Sequence, residues 1–391
     1  MNKDCLADCR VRRLSSTQTT ANPSSDDEAH WALVAQAIPE FNSRLQQSLL
    51  GRLSSFSAIF DTKDKTDDAS LDKQLRLVRK KYQRGQWKSL VSSIKATLEA
   101  TNGQVIPITN SNYPPQLKEI TRPPMLLYVR GDAQRLHLPQ IAIVGSRRMT
   151  AGGDVNARSW AKCLARSGFT ITSGMALGID ASAHWGALEP GKGNTIGVMA
   201  TGIDQFYPSR NVILGEQILE TGGTLITEFA PGTQPRPEYF PQRNRIISGL
   251  SLGVLVVEAA LNSGSLITAK FAVEQNREVF AIPGSINNPQ TKGCHELIRQ
   301  GATLVETVDE IVAELHGPLG VLGEQVVRAK LLSNLPKLSQ DETVLLGLIG
   351  YEPVLIDNLY APWPMEQLSQ LLVSLELKGV ISSDQGYFCR I

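Results

Sequence analysis

From residue 141 onward, the chain alternates short apolar runs, rich in β-branched residues, with segments of helical pattern. The runs are nearly continuous rather than alternately apolar and polar, which is typical of strands covered on both faces. Strands that alternate with helices indicate a parallel sheet with helices on both sides. We therefore predict a doubly wound α/β fold over about 135–315. The predicted strands are 141–144, 169–172, 195–200, 224–227, 253–257, 279–282 and 303–305.

The segments before this region predict smaller units. Residues 1–28 are mostly polar and lack periodicity, which predicts a disordered tail. Apolar residues at helical spacing predict a small helical domain over 29–104. Prolines interrupt residues 105–131, which we interpret as an adaptor leading into the sheet, with a strand-like run at 125–129. The whole sheet domain is then 105–315.

The C-terminal part predicts a linker and a third unit. Glycines and prolines are frequent in 316–336, as in a linker. Two helical patterns and a hairpin over 337–391 predict a winged helix. Residues 339–391 contain seven acidic and two basic residues, so their net charge is −5. Because that charge opposes the approach of phosphate, we expect this module to contact protein or to regulate, rather than to bind duplex DNA.

Composition limits the functional classes. The net charge of the 391-residue chain is +1, so binding to nucleic acid would depend on a local patch. Five dispersed cysteines favour a reducing cytoplasm over a disulfide framework, and they do not form a zinc motif. No run of about 18 apolar residues predicts a membrane span, and the N-terminus does not resemble a signal peptide. We expect no metal and no cofactor.

Several polar loops should converge at one edge of the predicted sheet, because ligands bind beyond the carboxyl ends of parallel strands. The first loop contains Gly145, Ser146, Arg147 and Arg148. A glycine turn before a helix N-terminus suits an anion, and arginine would add a charged hydrogen bond. The alternative is a tight turn with solvated arginines.

The second loop contains Ser173 and Gly174, small residues that would allow a ligand close to the backbone. Asp180 follows, and we expect it to hydrogen-bond within the turn. His184 lies one helical turn farther and could pair with Asp180. A lone histidine of this kind is more often structural than a general base.

Two further loops carry cations. Arg210 could reach a phosphate, while Tyr207 could stack on a base or simply pack in its turn. The segment 240–249 contains Arg243, Asn244 and Arg245. If it is helical, the two arginines cannot face the same way. One would then bind phosphate while the other orders the loops.

The fifth loop contains Ser263, Gly264 and Ser265, just before a predicted helix. Ser265 could cap this helix, and the same N-terminus could hold an anion. Lys270 lies beyond the first turn, where solvation is its ordinary state.

Motifs of common phosphate chemistry are missing from the sequence. There is no GxxxxGK[ST] phosphate loop, no GxGxxG dinucleotide spacing and no GxSxG elbow. The edge is therefore suited to holding a polyanion rather than cutting it, and we predict a protein that is not an enzyme. The alternative is a Rossmann-like nucleotide or phosphoribosyl hydrolase. It would need a carboxylate, for which Glu258 is best placed, although we expect Glu258 to form an ion pair with an arginine of the site instead.

Taken in order, these loops resemble the signature motifs of the DprA/Smf family, the DNA-processing proteins of bacterial natural transformation. The segments that carry the resemblance are 141–147, 173–180, 240–248, 263–269, 279–284 and 293–298. The resemblance implies an extended Rossmann-like fold between a helical N-terminal domain of the sterile-alpha-motif or helix-hairpin-helix kind and a C-terminal winged helix. It is strongest over residues 105–310.

The resemblance also implies a function. It implies a cytoplasmic homodimer that binds single-stranded DNA, protects incoming strands, displaces single-strand-binding protein and loads RecA, without catalysis. The residues that the motifs carry over as candidates for binding DNA are Gly145, Ser146, Arg147, Ser173, Gly174, Arg243, Asn244, Arg245, Ser263, Gly264 and Ser265. Arg210 and Lys270 are additions from their loops.

Overall fold

The computed structural model describes residues 25–61, 68–191, 193–315, 338–349, 354–356, 359, 362–378, 380–384 and 387–390. Its main feature in this part of the chain is a nine-stranded sheet in the order β1-β2-β6-β5-β4-β3-β7-β8-β9. The strands are β1 (Gly103–Pro107), β2 (Leu126–Gly131), β3 (Gln140–Val144), β4 (Thr170–Ser173), β5 (Thr195–Val198), β6 (Thr224–Thr227), β7 (Gly253–Val256), β8 (Glu278–Ala281) and β9 (Thr303–Leu304). The predicted α/β fold and all seven predicted strands are confirmed.

Strands β3 to β9 pair in parallel, while β1 and β2 are antiparallel additions beside β6. The strand-like run at 125–129 is confirmed by β2. The interpretation of 105–131 as an adaptor was wrong, because this segment supplies most of β1 and all of β2. Its prolines fall where a ladder does not need their missing N–H. Pro107 ends β1, and Pro115 begins a short helix.

Helices cover both faces of the sheet. They are α1 (Ser25–Gln36), α2 (Ser43–Leu49), α3 (Ala69–Gln83), α4 (Trp87–Ala100), α5 (Pro115–Lys118), α6 (Ala151–Arg166), α7 (Ile179–Leu188), α8 (Val212–Glu220), α9 (Tyr239–Leu250), α10 (Ser265–Glu274), α11 (Lys292–Arg299) and α12 (Val308–Glu314). Alternate residues of one strand enter opposite cores. In β3, Ala142 and Val144 belong to one buried cluster, whereas Ile141 and Ile143 belong to the other. Both faces of the central strands are thus apolar, as their continuous runs predict.

The N-terminal helices share the first of these cores with the sheet. Leu33 and Val34 of α1 lie in one apolar cluster with Leu127 and Val129 of β2. Tyr128 of β2 also donates a hydrogen bond of 2.6 Å from its hydroxyl to Gln36 Oε1. The N-terminal helices therefore pack as part of the sheet structure.

Both predicted boundaries of the helical domain need correction. Helix α1 begins at Ser25, so residues 25–28 of the predicted tail are helical; residues 1–24 lie outside the described residues. Glu28 is buried, and its carboxylate accepts hydrogen bonds from the Phe56 N–H and the Thr109 hydroxyl. At the other end, β1 begins at Gly103, before the predicted domain border.

The C-terminal unit has the predicted elements of a winged helix. Helices Gln340–Leu348 and Met365–Leu377 accompany the strands β10 (Val354–Leu355), β11 (Ile381–Asp384) and β12 (Tyr387–Arg390), which pair in the order β10-β12-β11. Glu342 joins the two helices. Its carboxylate accepts hydrogen bonds from Lys378 Nζ and the Ser374 hydroxyl, at 2.5 and 2.7 Å, and from the Ser339 N–H. These bonds, the one from Lys378 first, lower the pKa of Glu342 from 4.5 to about 2. The predicted linker 316–336 lies outside the described residues.

Within the described ranges, every helix is too short or too polar to traverse a lipid bilayer. The same ranges contain no group of three or more histidine, cysteine, aspartate or glutamate side chains arranged to hold a metal ion.

Candidate nucleic-acid interface

A cavity of about 680 Å³ lies beyond the carboxyl ends of β3 and β7. Chain order reverses between these two neighbouring strands, since β4 to β6 lie on one side of β3 and β7 to β9 on the other. Such a switch point is where open α/β sheets bind ligands. We call this cavity the sheet-edge groove. Its wall contains residues of all five predicted loops, namely Gly145, Ser146, Arg147, Arg148, Asp180, Tyr207, Arg243, Asn244, Ser263, Gly264 and Ser265.

Hydrogen bonds fix the loop after β3 and leave its arginine side chains exposed to solvent. The Ser146 hydroxyl donates to Gln290 Oε1 at 2.8 Å and accepts from the Arg148 N–H at 3.0 Å. Gly178 has φ +80°, and a Cβ there would lie 2.3 Å from the Ser146 carbonyl oxygen, so this junction requires glycine. Arg147 is exposed, and its guanidinium lies 5.3 Å from the centre of the Phe240 ring. The loop therefore presents a cation at the mouth of the groove.

Two aromatic rings stand beside that cation. The rings of Tyr207 and Phe240 are 5.5 Å apart, and Tyr207 is 47% exposed. Their planes are tilted by 48°, and together with Arg147 they form a cationic and aromatic surface of the kind on which unstacked bases bind. The sequence reasoning did not select Phe240, the first residue of the segment 240–249, although an aromatic residue three positions before an arginine at a predicted ligand edge was a usable signal.

Arg243 forms the floor of the groove and is a structural brace. It is only 3% exposed, and its Nη1 donates hydrogen bonds to the carbonyl oxygens of Gly174 and Val198. Burial lowers the pKa of Arg243 to about 10, while the nearby Asp180 carboxylate opposes that shift. Arg243 therefore remains a cation at neutral pH, with its donors directed at the protein backbone.

Asp180 completes this brace. Its carboxylate accepts a hydrogen bond of 3.1 Å from the Gly174 N–H, as the expected turn contact requires. Burial raises the pKa of Asp180, while Arg243 and the backbone donors act in the opposite direction. His184 does not pair with Asp180. It is completely buried, and its Nδ1 lies 2.6 Å from the Thr195 hydroxyl.

Ser173 and Gly174 lie beneath the groove and do not line it. Ser173 is the last residue of β4, and its buried hydroxyl donates to the carbonyl oxygen of Ile143. Gly174 is covered by Arg243. These two candidates lie inside the sheet layer rather than on its edge, so they support the groove from beneath.

Arg245 lies on the other side of α9 from Arg243, as the two-residue spacing in a helix predicts. Its Nη2 forms an ion pair of 2.7 Å with Glu228, and it is 7% exposed. The expectation that one arginine would reach phosphate and the other would order the loops was therefore incomplete. Both are buried, and both have carbonyl or carboxylate partners within the protein.

Neutral polar groups form the opposite wall. Asn244 is half-buried, and its Nδ2 lies 3.5 Å from the carbonyl oxygen of Gly264. Ser263 and Ser265 share a hydrogen bond of 2.7 Å at the start of α10. Helix α10 thus begins at the groove, where the positive end of its dipole favours anions. The N–H groups of its first turn are bonded within the loop, that of Ser265 to the Ser263 hydroxyl and that of Leu266 to the Ser263 carbonyl oxygen.

Two further candidates lie outside the groove, as Ser173, Gly174 and Arg245 do. Arg210 is exposed, and Lys270 has a side chain that is 77% exposed, beside Glu274. Asn262 and Gln290 do line it, and the sequence reasoning did not select them. Nothing in their local pattern distinguishes them from ordinary loop residues.

Glu258 is held away from the groove. Its carboxylate accepts hydrogen bonds from the Thr150 N–H at 2.9 Å and the Thr150 hydroxyl at 2.6 Å, at the N-terminus of α6. The expected ion pair with an arginine is therefore wrong. Glu258 instead fixes a helix N-terminus, where a negative charge is favoured.

The chain matches the family described as DNA recombination-mediator protein A over residues 104–316 and the DprA winged helix domain over 331–386. It is 42% identical to Protein Smf of Escherichia coli (strain K12) over 306 residues, which cover 78% of this chain and 81% of that protein. It is 44% identical to DNA processing protein DprA of Streptococcus pneumoniae over 209 residues, which cover 54% and 73% respectively. The X-ray structure of DprA from Streptococcus pneumoniae superposes with a TM-score of 0.60 at 32% identity, covering 72% of this chain and 97% of that one. The chain therefore belongs to the DprA/Smf family of DNA recombination mediators.

Proposed function

We propose that this recombination mediator binds single-stranded DNA in the sheet-edge groove. The observation that carries the proposal is the exposed Arg147 guanidinium over the Phe240 ring, with Tyr207 alongside, at the mouth of a concave site. A cation beside aromatic faces binds phosphate and base together. Such faces are accessible to the unstacked bases of a single strand, whereas a duplex keeps its bases stacked inside.

We further propose that the groove holds DNA without cutting it. Asp180, which lines the groove, and Glu258, the carboxylate that the alternative would need, both have structural partners. Glu258 accepts hydrogen bonds from the N–H and the hydroxyl of Thr150, and Asp180 accepts one from the Gly174 N–H. These contacts support a binding role over the hydrolase alternative, which needs a carboxylate directed at the substrate.

The wider role follows from family membership. We propose that a cytoplasmic dimer of the chain protects incoming strands, displaces single-strand-binding protein and loads RecA. Its test is RecA filament formation on DNA that is already covered by single-strand-binding protein, with and without this protein. Light scattering coupled to size exclusion tests the dimer. Equal RecA loading in both reactions would contradict the mediator step.

Fluorescence anisotropy with labelled single-stranded and duplex DNA, across a salt series, tests the binding site. We expect a preference for the single strand, and Arg147→Ala should weaken it and reduce the salt slope by about 0.7, the value for one lost phosphate contact. Arg210→Ala is the matched control, because it removes an exposed arginine that does not line the groove. Equal affinity of the parent protein and Arg147→Ala would refute the assignment.

A further inference from the structure

A second cavity, of about 630 Å³, lies between the N-terminal helices and the sheet. Its wall combines residues of the α2 region, of the segment that leads into β2, and of α9, including Arg44, Gln47, Arg122, Pro241, Gln242 and Arg245. We call it the helix-side groove. The family motifs do not cover its α2 wall, since the match to the family starts at residue 104.

The helix-side groove is cationic. Three arginines and one glutamate line it, which gives the lining a net charge of +2. Arg245 and Glu228 neutralise each other in their buried ion pair. The net charge therefore resides on Arg44 and Arg122, which are both exposed and have no ion pair with a carboxylate in the described ranges. Two uncompensated guanidinium groups at the rim of a groove attract phosphate.

The two grooves are adjacent along one helix. Pro241, in the first turn of α9, lines both of them. Beyond it the helix divides its side chains, with Arg243 and Asn244 in the sheet-edge groove and Gln242 and Arg245 in the helix-side groove. Pro241 therefore joins the two grooves, and the Glu228 carboxylate in the wall of the helix-side groove is paired with Arg245.

We infer that the helix-side groove receives the continuation of the same DNA strand, with Arg44 and Arg122 contacting its phosphates. The inference rests on the proposed function, because it extends that binding site. It assigns the N-terminal helices a direct part in holding nucleic acid. The DNA strand then runs across the start of α9, and the protein covers more nucleotides than the sheet-edge groove alone can hold.

The experiment compares oligodeoxythymidylates of two lengths, about 5 and about 20 nucleotides, within the range of site sizes of single-strand binders. Anisotropy is measured across a salt series for the full chain and for Arg44→Ala/Arg122→Ala. Affinity for the long probe should fall roughly tenfold and its salt slope by about 1.4, the value for two lost phosphate contacts. Affinity for the short probe should not change.

Arg76→Ala/Arg84→Ala is the matched control, since it removes two exposed arginines of the same helical region that do not line the groove. Its affinity for both probes should equal that of the parent. Arg44→Lys/Arg122→Lys should restore most of the long-probe affinity. Equal losses in the control and in the groove variant, or long-probe binding that the groove variant leaves unchanged, would overturn the inference. If the parent binds neither probe, the proposed function itself fails.

Discussion

Gly174 and Arg243 lie so close together that a Cβ on Gly174 would stand 2.7 Å from Nη2 of Arg243 and 2.7 Å from Asp180 Oδ2. The glycine leaves the space in which the guanidinium meets the loop after β4. Since neither charged group can move away without losing its partner, this contact fixes the floor of the sheet-edge groove.

Gly174→Ala should therefore destabilise the protein, by about 1–3 kcal/mol in the free energy of unfolding measured in urea. Gly264→Ala is the control, because no atom lies within 4 Å of the Cβ position at Gly264. It should change stability by less than about 1 kcal/mol. If Gly174→Ala is as stable as the parent, the side chains of Arg243 and Asp180 relax around the added methyl group more easily than the 2.7 Å distances imply.

Arg243→Ala and Arg147→Ala should have different effects. Loss of Arg243 leaves the Gly174 and Val198 carbonyl oxygens without their donor and Asp180 without its cation, which should lower stability by about 3–5 kcal/mol. Loss of Arg147 should leave unfolding unchanged and weaken binding of single-stranded DNA. Urea unfolding and anisotropy on the same preparations separate the two. A stable Arg243→Ala variant that fails to bind would instead make Arg243 a direct ligand of DNA.

Glu258→Gln should behave as a structural substitution. The amide cannot accept both Thr150 hydrogen bonds, and it removes a negative charge from the N-terminus of α6, so stability should fall by about 1–3 kcal/mol. Thr150→Ala should lose much of the same energy, so the two losses should be less than additive in the double variant. The hydrolase alternative predicts instead that the parent releases free base from nucleotides and that Glu258→Gln loses this activity.

His184 should make the free energy of unfolding depend on pH in the acidic range. Burial, aided by the charge of Arg243, lowers the pKa of His184 from 6.5 to about 3. The unfolded chain therefore binds a proton that the folded chain excludes, and stability is lost as pH falls from 6.5 toward 3. One proton corresponds to about 1.4 kcal/mol per pH unit. His184→Gln should reduce the slope of the unfolding free energy over this range, whereas substitution of the exposed His137 by Gln should not; equal slopes in all three proteins would contradict the assignment.

Glu342 should make the stability of the winged helix depend on pH in a second, more acidic range. Its pKa of about 2, against 4.5 in an ordinary environment, means that its stabilising bonds are fully present above pH 4.5 and are lost as pH falls toward 2. Proteolysis of the full chain should therefore cut the C-terminal unit first as pH falls through this window. Glu342→Gln should make it sensitive already at neutral pH, and resistance equal to that of the parent would refute the role of this carboxylate.

The sheet was predictable because its strands are buried on both faces, which leaves uninterrupted apolar runs in the sequence. The convergence of the loops followed from parallel topology alone. Burial of the two arginines on α9 could not be predicted, because their partners are distant in sequence. Gly174 and Val198 lie 69 and 45 residues from Arg243, and Glu228 precedes Arg245 by 17. Local pattern identifies a cation but does not show which acceptors tertiary packing places around it.

Strand β1 escaped prediction for a related reason. It is a short antiparallel edge strand that ends in a proline, and it joins the sheet only through β2, whose other partner β6 lies about a hundred residues later. The groove between the N-terminal helices and the sheet was equally hidden, since Arg44 and Arg122 are unremarkable surface residues until the fold brings them to one wall.

The core that α1 and β2 share limits the modularity of this chain. The family match begins at residue 104, inside β1, whereas Leu33, Val34, Leu127 and Val129 form one continuous cluster across that border. A truncation at 104 would therefore uncover apolar surface on the sheet instead of releasing an autonomous unit. Exchange of the N-terminal region between relatives should succeed only when the β2 residues that face it are exchanged with it, so the two parts are constrained to change together in evolution.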